Sequence, residues 1–292
     1  MSESRPMRWM MFPAWIVFVA MAASLGAVET PPGVAGSPTL LELGYRQMYN
    51  LEFDAAHATF AEHERRHPDD AMGPASDAAA YLFAEFDRLH ILQSEFFMHD
   101  DNFRRERHLT PDASTARRFQ QQIARAQQLA TQRLAQAPKD TNAMLAMMLS
   151  QGLRSDYEGL IEERYITSLA TTRKSRLTAE QLLALDPNCY DAWTAIGVEN
   201  YILSQKPMPV RWILQMMGNA TDRDYGIQKT RLTAERGHYL KPFAQLLLAV
   251  AAMRSKDYTE AERLLRGLNA EYPHNHLYSE ELARIRSLQH SR

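Results

Sequence analysis

Cysteine is almost absent: Cys189 stands alone among 292 residues, which excludes an intramolecular disulfide and any C-x-x-C redox or metal site. It follows the turn Asp186-Pro187-Asn188 with no histidine beside it, so it reads as a small residue at a helix junction rather than a reactive thiol. Glycine and proline are few, 12 and 14, which leaves short loops between long stretches of helix formers. Neither sign of charge dominates. A formal net charge of −2 supplies no global field for nucleic acid or an anionic membrane. The local basic clusters (Arg104, Arg105 and Arg107; Arg117 and Arg118; Arg173, Lys174 and Arg176) lie among Glu, Gln or Ser and read as solvated helix faces. No Gly-rich phosphate loop, nucleophile elbow or paired-carboxylate pattern occurs. At 45% hydrophobic and 23% charged, the composition is that of a folded chain, not a disordered one.

Long apolar runs are also scarce, with one exception. Trp9 to Val28 carries no charge and follows Arg5 and Arg8. Its most apolar part, Met10 to Ala23, is followed by Ser24, Gly26 and Ala27. A basic start, an apolar core and a small-residue exit describe a secretory signal, with cleavage after Gly26 or Ala27. The alternative is an uncleaved anchor that holds the arginines on the cytoplasmic side. Residues 1–27 are therefore expected to be a signal peptide or N-terminal anchor, and 28–38 a Pro/Gly-rich tether. The body would then be periplasmic or secreted, or anchored and facing away from the cytoplasm, with any membrane association arising through the N-terminal segment.

The remainder has helical periodicity. Phe53, Ala56 and Phe60 follow i, i+3, i+7 spacing, as do Tyr258, Ala261 and Leu265. The two segments also match each other: Phe53-x2-Ala56-x3-Phe60-x7-Pro68 and Tyr258-x2-Ala261-x3-Leu265-x7-Pro273 have the same spacing, and proline ends both. Leu40, Leu43 and Gly44 precede the first. Trp193-x2-Ile196-Gly197 follows Asp186-Pro187-Asn188, and Ala126 to Pro138 is a fourth echo.

On these residues the chain resembles the tetratricopeptide repeat family, whose unit of about 34 residues sets large, small and Pro residues at fixed offsets on two antiparallel helices. Gln47 and Asn200 stand where that family usually has an aromatic. The resemblance implies an all-α superhelix of about five degenerate helix pairs over residues 39–290. The expected units are 37–70, 71–139, 140–188, 190–241 and 242–275, followed by a capping helix from His276 to Gln289. Small residues at the crossings let helix backbones approach, while bulky ones fill the grooves between units.

Two stretches depart from the repeat. Residues 90–111 insert Glu95-Phe96-Phe97-Met98 and a polar run. Residues 203–223 insert Lys206-Pro207-Met208-Pro209 and the apolar run around Trp212. Insertions in repeat proteins often carry function, so Phe96, Phe97 and Trp212 are taken as an insertion surface; the other reading is a short helix closing one face of the solenoid. Leu203-Ser204-Gln205-Lys206-Pro207 through Trp212-Ile213, with Asp222-Arg223-Asp224-Tyr225-Gly226, is similar to a segment of the eukaryotic inclusion-body-clearance repeat proteins, and no function is carried over from it.

One motif invites catalysis. His63-Glu64-Arg65-Arg66-His67 matches H-E-x-x-H, in which two histidines on one helix face hold Zn²⁺ and the glutamate polarises water. Glu85 is the acidic candidate for a third ligand. The repeat register places the motif in the last turn of a second helix before Pro68, where basic residues complement the helix dipole. The expectation is a structural turn, with no catalytic residue, metal or cofactor. His274-Asn275-His276 similarly reads as an inter-repeat turn.

In this register the inner face of the superhelix comes from the first helix of each unit. It comprises Tyr45 and Tyr49, Leu145 and Leu149, Val198 and Tyr201, then Leu246 and Val250. That face is aromatic and aliphatic, not basic. The expected function is a non-catalytic scaffold or adaptor that grips an apolar protein or peptide, with no nucleic-acid partner. The alternatives are a lipid- or membrane-associated helical protein and, last, a zinc hydrolase. The groove is equally open to a second reading, in which the inserted segments fill it.

Overall fold

The computed structural model describes residues 37–91, 109–205, 215–216 and 221–290. Phe96, Phe97 and Trp212, the central parts of both insertions, and residues 1–36 lie outside them. Pro38 to Arg292 forms one compact unit.

Among the described residues there are eleven α-helices and no strand. They run α1 (Leu40–Tyr49), α2 (Phe53–Arg66), α3 (Met72–Arg88), α4 (Ala113–Gln136), α5 (Thr141–Leu160), α6 (Tyr165–Leu185), α7 (Trp193–Ser204), α8 (Arg223–Arg236), α9 (Lys241–Arg254), α10 (Tyr258–Glu271) and α11 (His276–His290). A 3₁₀ turn, Tyr190–Ala192, precedes α7.

Local chemistry fixes the boundaries. Thr39 and Glu42 form a reciprocal capping box at α1. Asp112, Asp140, Asp222 and Asp257 cap α4, α5, α8 and α10 through side-chain oxygens that accept backbone N–H bonds. Four second helices end two residues before a proline, at Pro68, Pro138, Pro187 and Pro273, which lacks the N–H that would continue the helix. The first and fifth units turn alike. Leu51 and Lys256 both sit in the left-handed region, at φ 62°, and in each case the next amide bonds a carbonyl five residues back.

Every helix packs on its neighbours in sequence. α1 also meets α3, and α3 meets α5. This is a TPR-like arrangement: short connections make each pair antiparallel, and in the first three units the first helices α1, α3 and α5 lie side by side. The expected all-α architecture of five helix pairs and a final helix is the observed one. Gly44 lets α2 approach α1 closely, since a Cβ there would overlap the Phe60 ring. Phe60 itself is fully buried, a burial worth roughly 1.5–3 kcal/mol. α3 is central: the stretch Ala71 to Ala80 is buried throughout, small enough for α1, α2, α4 and α5 to close around it.

The α5–α6 pair is held differently. Ser155 Oγ lies 2.5 Å from Thr172 Oγ1 and donates to the Ser168 carbonyl at 2.9 Å. Thr171 donates to buried Glu158 at 2.8 Å and Ser175 to the Met148 carbonyl at 2.9 Å. This ladder of hydroxyls satisfies its own polar groups, which offsets the cost of burying them.

Candidate functional site

The superhelix closes on itself. The first unit and α3 touch the start of the fifth unit and the turn before α11, about two hundred positions away in sequence. Tyr45 stacks on Tyr239 with ring centres 5.0 Å apart, Tyr49 meets Tyr272 at 5.5 Å, and Phe83 meets Phe243 edge-on at 5.8 Å. The Tyr49 hydroxyl donates to the Tyr239 carbonyl at 3.0 Å. Asn275 Nδ2 donates to the Tyr49 carbonyl at 2.9 Å, and the His274 N–H to Asn50 Oδ1 at 3.2 Å. Two outer contacts flank these: His238 with Glu42 at 2.9 Å and His274 with Glu52 at 2.5 Å.

One buried carboxylate shapes the turn that receives α1. Asp191 accepts the backbone N–H groups of His238, Tyr239 and Leu240 at 2.9, 3.0 and 3.0 Å. Burial pushes its carboxyl up, and the three amides oppose that shift. The aromatic hydroxyls respond to the same dry environment. Burial pushes Tyr239 up to about 12 and raises Tyr45, Tyr49, Tyr272 and Tyr278 as well, so none of them is a ready proton donor or nucleophile near neutral pH.

The eight inner-face residues therefore divide. Tyr45 and Tyr49, 3% and 5% exposed, are covered by the chain itself. Leu145 and Leu149 are buried in the core. Leu246 lines an apolar cleft beside the closure, with Met48, Phe83, Phe243 and Tyr278. Val198 and Tyr201 line a second cleft between α7, α8 and α9, with Ile202, Ile227, Leu247 and Leu248. Val250 is half-buried on α9, and Ile202 is 47% exposed. Arg254 and Arg223 lie close enough to the second cleft to lower the Tyr201 hydroxyl against the raising effect of its burial.

The His-Glu-Arg-Arg-His motif is committed to structure. His63 Nε2 lies 3.0 Å from Asp70 Oδ2. Glu64 is buried, accepts from Gln122 at 3.0 Å and faces Arg125 at 3.4 Å. Its carboxyl is raised chiefly by burial, with the Arg125 charge opposing. Gln122 also donates to Asp77 at 2.6 Å, and Asp77 meets His57 at 2.6 Å, so this chain of polar groups ties α2, α3 and α4 together. Glu85 accepts from Arg88 and from the Asp112 N–H at 2.8 Å. Among the described residues, no three His, Cys, Asp or Glu side chains are placed to hold a metal ion. Burial lifts the Cys189 thiol to about 11, which makes it a poor nucleophile.

Sequence reasoning missed the closure. Its residues (Asn50, Glu52, His238, Tyr239, His274 and Asn275) lie in turns, where no periodicity operates. The available signal was the aromatic content of those turns, Tyr239 and Tyr272, since large aromatic rings are mostly buried; Asn275 is an ordinary turn residue and gave none.

No protein-family model matches the chain, and no curated protein matches its sequence. Among solved structures, the chain is similar to a thermophilic TPR protein of Thermus thermophilus, with 13% identity over 84% of this chain and 96% of that one, at a TM-score of 0.44.

Proposed function

We propose that this chain is a non-catalytic protein-binding scaffold that acts outside the cytoplasm and takes an apolar peptide or helix on the inner wall of its superhelix. The observation that carries the reading is the α7–α9 cleft. It combines half-exposed Val198 and Tyr201 with exposed Ile202, on a fold whose most catalytic-looking motif is committed to internal hydrogen bonds. Rigid helices that present an apolar stripe suit helix-in-groove recognition. Localisation rests on the basic start and apolar run of residues 1–27. The test is a photo-crosslinking residue at Ile202 in cells, with one at exposed Leu177 on α6 as the control. A discrete adduct from position 202 and not from 177 is expected. Equal or no adducts would remove the reading.

A second reading, membrane-surface association, is favoured by one observation. Tyr165 and Ile166, at the start of α6, are 52% and 87% exposed, an apolar pair at a turn. Among the described residues no helix is long and apolar enough to cross a membrane. Sedimentation with anionic and neutral vesicles tests it: binding lost on Ile166→Ser supports surface insertion, and no binding by the unaltered chain removes it.

A further inference from the structure

In the first three units the first helices lie side by side, but at α7 and α9 an apolar cleft stands between them, with α8 as its floor. Tyr201 and Ile202 form one wall, Leu247 and Ala251 the other, and Ile227 and Thr230 the floor. Thr230 adds little polarity, because its hydroxyl already donates to the Gly226 carbonyl at 2.9 Å.

One end of this cleft carries positive charge. Arg223 stands one turn before Ile227 on α8, and Arg254 one turn after Ala251 on α9. The i, i+4, i+7 stripes that line the cleft therefore run out into an arginine on each helix. Since α8 and α9 are antiparallel neighbours, the start of one and the end of the other lie at the same end of the cleft. Among the described residues, the charges that act on the Tyr201 hydroxyl are these two arginines. The nearby carboxylates are placed otherwise. Asp222 caps α8 by accepting the Tyr225 N–H at 3.0 Å. Asp224, 3.2 Å from Arg223, is 91% exposed and turned to solvent.

We propose that the α7–α9 cleft takes an apolar partner segment that carries an acidic residue at one end, its apolar side chains on Ile202, Ile227 and Leu247 and its carboxylate at Arg223 and Arg254. This deepens the binding reading above and rests on it. Apolar anchors at helical spacing supply the burial in such a groove. The arginine pair sets the direction and the choice of partner: beside apolar walls it attracts a carboxylate and repels a lysine or arginine in the same place.

The test pans a phage-displayed random-peptide library against the full chain, against Ile202→Asp, and against Arg223→Gln combined with Arg254→Gln. Far-UV circular dichroism checks each fold, and because Arg254 is half-buried, Arg223→Gln alone is a fourth target. Peptides selected by the unaltered chain should pair apolar residues at helical spacing and hold at least about fivefold more Asp and Glu than Lys and Arg. Ile202→Asp should abolish the selection. The double arginine variant should still select apolar peptides, with the acidic excess gone, and Arg223→Gln should lower that excess. Apolar peptides without an acidic excess, or an excess that survives loss of both arginines, overturn the inference and leave the binding reading standing. Selection no better than with Ile202→Asp overturns both. If the double variant does not fold, an undiminished acidic excess with Arg223→Gln overturns the inference.

Discussion

Two stretches that the repeat register assigns to one inner face have opposite fates. On α1, Tyr45 and Tyr49 are sealed under turns from the far end of the chain. On α7 and α9, Val198, Tyr201 and Val250 remain half-exposed. Both stretches obey the same register and carry the same kinds of residue. The register decides which side chains face inward. What then covers them is decided by long-range closure, which no local pattern encodes.

The most direct way to break this comparison uses one residue type on both sides. Tyr45→Ala and Tyr49→Ala should each cost about 3–5 kcal/mol, because a buried ring leaves a cavity in a contact that cannot relax fully. Tyr201→Ala should cost about 1 kcal/mol, in keeping with a part-exposed position. Urea midpoints at unchanged m-value check both. Equal losses at positions 45 and 201 would mean that the two stretches are not different in kind.

A second prediction asks whether the crossings that define the register are as tight as they look. A Cβ on Gly197 would lie 2.8 Å from the Thr230 backbone nitrogen and 2.9 Å from the Gly226 carbonyl oxygen. Both atoms are α8 backbone, which cannot swing away as a side chain can. Gly197→Ala should cost about 2–3 kcal/mol, since overpacking outweighs the gain in helix propensity. Thermal melts would measure it, and a stabilised variant would show that α7 and α8 can separate freely.

These cases mark what was legible. The helix pairs could be read because their information is local: apolar residues at i, i+3 and i+7, small residues at the crossings, and proline at helix ends. Gly197 was legible for the same reason, as one member of a spaced motif. The division of the groove was not. Tyr239 and Asn275 act on residues 190 and 226 positions away, and turns carry no period to betray a partner. The α5–α6 interface was equally opaque, since its Ser and Thr ladder has the composition of a surface.

A third prediction sharpens the comparison through pH. Asp156 is part-exposed on α5, and burial pushes its carboxyl up to about 7. The folded pKa lies above the unfolded one, so the group adds nothing below the unfolded value. Between about pH 4 and 7 the unfolded chain loses this proton while the folded chain keeps it, and stability falls as pH rises. Asp156→Asn removes that slope. The variant should match the unaltered chain at pH 4 and exceed it by about 2 kcal/mol at pH 8, as seen in urea titrations across the range. A parallel pair of curves would place Asp156 in solvent and leave the middle of the wall wetter than its burial indicates.

The smallest effect concerns the motif that looked most like chemistry. His63 bonds Asp70, which also accepts from Asn142 Nδ2 at 2.8 Å and from the Met72 N–H at 3.0 Å. The histidine is thus one of several groups that organise the turn after α2. His63→Ala should cost about 1–2 kcal/mol, the net worth of one hydrogen bond plus the packing of a small buried ring. His67→Ala, at an exposed position beside it, should lie within about 0.5 kcal/mol of the unaltered chain. A bound metal would behave otherwise: both substitutions would cost similar and large amounts, because losing either ligand loses the ion. Zinc content by elemental analysis on the same three proteins completes the test. Stoichiometric zinc lost in both variants would return the motif to catalysis. An unequal, small pair of stability losses without a change in zinc assigns it to the turn that hands α2 on to α3.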